Sequence, residues 1–222
     1  MQAERHFVKQ WLLIGIIAGV FADFTYMLAT QVSISPAVNR LLFFFFGPFM
    51  IVSIVGLYHH LVEKGNAIAA QLGTLMVVLS GVSHTIMATM QGSIAVRMRQ
   101  YISESGSEAE KEIFRDIYKS VFSTQLGVDM AFDIFISLGV ILLSVSMWNH
   151  MSYGKIISVA GILVAVTGLS FNLVAFPENA GIYGLIDPGP LFGLWFTAVV
   201  ILMATSLYRI KTSQNKSHNK II

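Results

Sequence analysis

Apolar residues run along this chain in six blocks, each near the length of about 20 residues that a helix needs to cross a hydrocarbon layer about 30 Å thick. The blocks are Trp11–Thr30, Leu41–Val62, Ala67–Gln91, Gln125–Trp148, Lys155–Phe176 and Pro190–Tyr208. Runs such as LLFFFF (Leu41–Phe46) and VAGILVAV (Val159–Val166) do not alternate. A transmembrane β-barrel alternates in segments of about 10 residues, so that class is excluded. The pattern predicts an all-α integral membrane protein: one transmembrane domain over residues 1–222, folded as a six-helix bundle.

The long polar interval lies between the third and fourth blocks, Gly92 to Thr124. Its first part, SIAVRMRQYI, extends the third span. The Ser-rich SESGSEAEKE then predicts a break, and Ser107 with Glu110 three residues later fits a capping box that restarts a helix. Over 107–122, Ile113, Phe114, Ile117, Tyr118, Val121 and Phe122 share one face, and Lys111, Arg115 and Lys119 share the other with Glu108, Glu112 and Asp116. This predicts a separate amphipathic connector, lying on a membrane surface or capping the bundle.

Composition agrees. Hydrophobic residues make up 55 % of the 222 and charged residues 12 %, where a soluble domain carries about a quarter. Fourteen Lys and Arg against twelve Asp and Glu give +2, which leaves no electrostatic footprint for nucleic acid. The absence of cysteine removes disulfides, thiol nucleophiles, iron–sulfur clusters and thiolate zinc sites.

Positive charge sets the expected orientation. With both termini cytoplasmic, the inner segments hold Arg5, Lys9, Lys64, Lys155, Arg209, Lys211, Lys216 and Lys220, and the outer ones Arg40, Arg97, Arg99, Lys111, Arg115 and Lys119. The tail over 209–222, RIKTSQNKSHNK followed by two isoleucines, reads as cytoplasmic, in a bacterial inner membrane or another plasma membrane. Arg5, Lys9 and the apolar run ending Val20-Phe21-Ala22 also resemble a secretory signal, but apolar character resumes after Asp23 as FTYMLAT, as in an ordinary first span.

Ionisable groups inside a span are costly and mark candidate sites. Placed by depth, Asp23 and Tyr26, His84 and Gln91, Gln125, Asp129 and Asp133, and Asn172 all fall in one half of the layer, and the loop after the fifth span adds Glu178, Asn179 and Asp187. Gln125, Asp129, Asp133 and Ser137 recur every four residues on one helix face. Small residues continue such stripes toward the other half: Gly15 and Gly19 below Asp23, Gly73, Val77 and Ser80 below His84, Gly161, Ala165 and Gly168 below Asn172. Helices packed on these stripes would close at one end and open around carboxylates at the other. The pair His59-His60 sits at the opposite end and reads as interfacial.

No Lys or Arg falls within the span cores, so the acids have no basic partner there. The expected function is an outward-facing acidic pocket that binds or transports a small molecule or cation, with a homodimer favoured for transport by so few spans. Two alternatives remain at this level. One is a metal-dependent, membrane-embedded hydrolase using His84 and Asp residues, although catalytic zinc usually takes two or three His. The other is a non-catalytic membrane subunit or sensor. The sequence specifies no cofactor.

Overall fold

The computed structural model describes residues 2–32, 35–63, 65–177 and 187–218. All regular structure among them is helical: α1 (Gln2–Gln31), α2 (Pro36–Leu61), α3 (Ala67–Met90), a π-helical turn (Gln91–Ala95), α4 (Val96–Glu104), α5 (Glu108–Met147), α6 (Gly154–Ala175) and α7 (Gly189–His218). Six helical stretches are long and apolar enough to cross a membrane, one in each predicted block. Local chemistry sets their starts. Ser35 and Pro36 open α2, the Asn66 side chain accepts from the Ala69 N–H at 3.1 Å to open α3, and Ser107 Oγ accepts from the Glu110 N–H at 3.3 Å to open α5.

Consecutive spans pack on one another in chain order, and α7 closes on α1, which makes a ring α1–α2–α3–α5–α6–α7. Paired residues run in opposite directions along each neighbouring pair. Phe7 meets His59, Phe21 meets Phe49 and Tyr26 meets Phe46, for example, so α1 and α2 are antiparallel. An even number of spans brings the start of α1 and the end of α7 to one end, called here the near end; the other is the far end.

The interior is rich in small and polar groups, with Ser53, Ser80, Ser144 and Ser158 fully buried. Large aliphatic side chains point outward instead: Ile17, Leu163, Leu194 and Ile201 are each at least half exposed. In water such a surface would drive aggregation; against lipid it costs nothing, and helix association rests on close packing of small residues.

The polar interval differs from its predicted form in one respect. No separate amphipathic connector forms. The chain turns at 105–107 as expected, but the helix that restarts at Glu108 continues unbroken into the fourth span, 40 residues in all. The stretch holds no Pro to interrupt it, and the hydroxyls of Ser120, Ser123 and Thr124 are satisfied within the helix, each on the carbonyl four residues earlier at 3.0 Å. The third span likewise runs through the π turn to Glu104. At 1.5 Å per residue the two helices are about 57 and 60 Å long, and their ends project past the far end of the ring as an antiparallel hairpin joined by Tyr101 against Phe114.

Candidate functional site

Inside the ring, toward the far end, lies a cavity of about 290 Å³ to which all six spans contribute. Its polar lining is Asp23 and Tyr26 from α1, His84 from α3, Asp129 and Asp133 from α5, Asn172 from α6, and Asp187 just before α7. Its apolar lining includes Tyr26 again with Phe43, Phe46, Phe132, Phe176, Phe192, Trp195 and Phe196, eight aromatic side chains. No Lys or Arg is among the described lining residues.

Two of these polar side chains, Asp23 and His84, are held by a neighbouring helix. Asp23 Oδ2 lies 2.9 Å from Thr197 Oγ1, whose hydroxyl also reaches the Gly193 carbonyl at 2.9 Å. Asn172, Asp129 and Asp187 line the cavity together with the Asp133 carboxyl. Asp187 Oδ1 accepts from the Gly189 N–H at 2.9 Å and so caps the start of α7. His84, only 3 % exposed, bonds through Nε2 to the Phe43 carbonyl at 3.0 Å and packs its ring on Phe43, Phe46 and Phe132. Since a carbonyl only accepts, Nε2 carries the hydrogen and Nδ1 is left as the ring's acceptor.

Four aspartates share the enclosure with the aromatic rings, whose quadrupoles present negative faces. Among the described residues, no three His, Cys, Asp or Glu side chains converge closely enough to hold a metal ion. That arrangement gives the metal-hydrolase alternative no support.

Of the residues singled out from the sequence, Asp23, Tyr26, His84, Asp129, Asp133, Asn172 and Asp187 lie together on the cavity. Gln91 does not; it sits at the start of the π turn and lines a second, outer crevice. Gln125 is buried one turn before Asp129 without reaching the cavity. Glu178, with Asn179, lies outside the described residues. His59 packs on Phe7 and Trp11 at the near end, and His60 packs on His150 and Tyr153.

Sequence reasoning missed Thr197 and the aromatic lining. In LLFFFF the helical phase was a usable signal: Phe43 and Phe46, three apart, turn inward, while Phe44 and Phe45 are about 40 % exposed.

The ring closes at the near end through glycines. A Cβ at Gly56 would lie 2.5 Å from the Trp11 carbonyl oxygen, one at Gly15 would lie 2.9 Å from the Gly56 Cα, and one at Gly73 would lie 2.9 Å from the Leu143 backbone nitrogen. Neither a protein-family model, nor a curated protein, nor a solved structure matches this chain.

Proposed function

We propose that the six helices cross a membrane and that the far-end cavity binds, and in transport would pass, a small organic cation with an apolar body. One observation carries this reading: four carboxylates and eight aromatic rings share a cavity whose described lining includes no Lys or Arg. The carboxylates supply charge neutralisation, and the rings supply apolar contact and cation–π attraction, worth about 0.5–2 kcal/mol per ring contact. At about 30 Å³ per water, 290 Å³ holds about ten waters or an organic molecule of similar size. An inorganic cation would use the carboxylates and leave most of the aromatic lining idle.

The test is a calorimetric titration of the detergent-purified protein with phenethylammonium, with sodium, and with the uncharged 2-phenylethanol. Phenethylammonium should bind at least tenfold more tightly than either of the others, and Asp133→Asn should remove at least tenfold of that affinity, while Asp116→Asn, far out on the hairpin, should remove none. Equal weak binding of all three probes, or full affinity in Asp133→Asn, would overturn the reading.

A further inference from the structure

Outside the ring, at the same end, a second crevice of about 600 Å³ opens between the start of α2 and the π turn that follows α3. Its charge is opposite to that of the cavity. Arg40 and Arg99 line it together with Asn39 and Gln91, and no carboxylate is among its described lining residues. Phe43 lines both, as the wall between them.

The arginines are placed but not neutralised. Arg40 lies across from Gly92, where an added Cβ would meet its Cδ at 3.4 Å. Arg99 donates from Nε to the Ala95 carbonyl at 3.3 Å, which anchors the base of the guanidinium and, among the described residues, leaves its other four donors unused. Among the described residues neither forms an ion pair, whereas Lys111, Arg115 and Lys119 on the hairpin all meet Glu108 or Asp116. Asn39 spends its amide on the Ala29 carbonyl at 3.1 Å, which ties α1 to α2 and fixes that wall. Pro36, the first residue of α2, also lines the crevice, so the positive end of that helix dipole adds to the field.

We propose that this crevice is a binding site for a phosphate group, gripped by Arg40 and Arg99. Guanidinium forks match phosphate oxygens in bidentate pairs, and a crevice with two of them and no competing carboxylate favours such an anion. Its level in the fold favours a phospholipid as the source. Arg40 immediately precedes the apolar run that starts at Leu41, and Arg99 follows the apolar stretch that ends near Gln91. Both therefore sit where the apolar part of adjacent spans gives way, which is the depth of lipid phosphates if the helices cross a membrane as proposed above. Recognition of free inorganic phosphate does not depend on that reading.

The experiment measures binding of phosphatidylglycerol, and of diacylglycerol with the same tails, to the delipidated full chain by native mass spectrometry, beside thermal-shift titration with inorganic phosphate. Phosphatidylglycerol should be retained at one molecule per chain, at least tenfold more tightly than diacylglycerol. The double variant Arg40→Gln, Arg99→Gln should lose that preference, and Arg115→Gln should keep it. Stabilisation by inorganic phosphate that the double variant abolishes, without a preference between the lipids, would support the site with a soluble anion as its occupant. The proposal is overturned if the double variant binds phosphatidylglycerol and phosphate as the parent does, or if diacylglycerol binds equally well and phosphate has no effect. Both arginines are exposed, so circular dichroism should show an unchanged fold and keep a loss of binding interpretable.

Discussion

The two ends of the ring are built from the same helices and differ in what those helices place between them. At the near end, glycine faces backbone: Gly15 and Gly56 bring α1 onto α2, and Gly73 and Gly139 bring α3 onto α5. At the far end the same helices carry Tyr26, Phe46, His84 and Phe132, whose rings pack on one another around the cavity. Small residues fill the near end of the stripes, and polar and aromatic side chains enclose the cavity at the far end. Stability is therefore expected to concentrate at the near end and ligand chemistry at the far end.

That division can be broken most severely at Gly56. Gly56→Val would press a branched side chain onto the Trp11 carbonyl and the Gly15 Cα, both of them backbone atoms that cannot move aside. A loss of about 1–3 kcal/mol is expected, visible as an earlier unfolding transition in detergent, while Gly127→Ala, with nothing within 4 Å of its added carbon, should stay within about 0.5 kcal/mol of the parent. Next in size is Trp195→Phe. The Trp195 indole donates to the Ile157 carbonyl at 3.0 Å and joins α7 to α6; its loss should cost about 1 kcal/mol by the same measurement. Thr197→Val removes the hydroxyl that holds Asp23 and should cost about 0.5–1 kcal/mol in stability, with phenethylammonium affinity falling several-fold in titration. The smallest stability effect, and the sharpest separation of the two ends, is expected at Gly193. It lines the cavity and has nothing within 4 Å of an added carbon. Gly193→Leu should leave the unfolding transition within about 0.5 kcal/mol of the parent yet weaken phenethylammonium binding by filling the space.

Much of the fold was legible because lipid-length apolar blocks carry their own length scale, and six of them predict six long helices. The stripes were legible for the same geometric reason: in an α-helix, Gly15, Gly19 and Asp23 must share a face. Two things were hidden. Gln91 stands two turns beyond His84, about 10 Å further along the helix at 1.5 Å per residue, and at that level it lines the outer crevice instead of the cavity. The continuity of α5 was hidden because the amphipathic pattern over 107–122 gives way to an apolar block at Gln125, and such a change of pattern does not by itself distinguish two helices from one. The aromatic lining was hard to see because phenylalanine is equally at home against lipid, and only its phase within each span tells the two positions apart.

The unbroken run of α5 has a mechanical consequence. A continuous helix is a stiff rod, and this one carries Glu108 at its tip and Asp129 and Asp133 further along its length, about 32 and 38 Å away at 1.5 Å per residue. With no loop between to absorb motion, a force applied to the hairpin acts on the two aspartates as on the short arm of a lever, and a binder clamped on the hairpin would set the tilt of the wall that carries them.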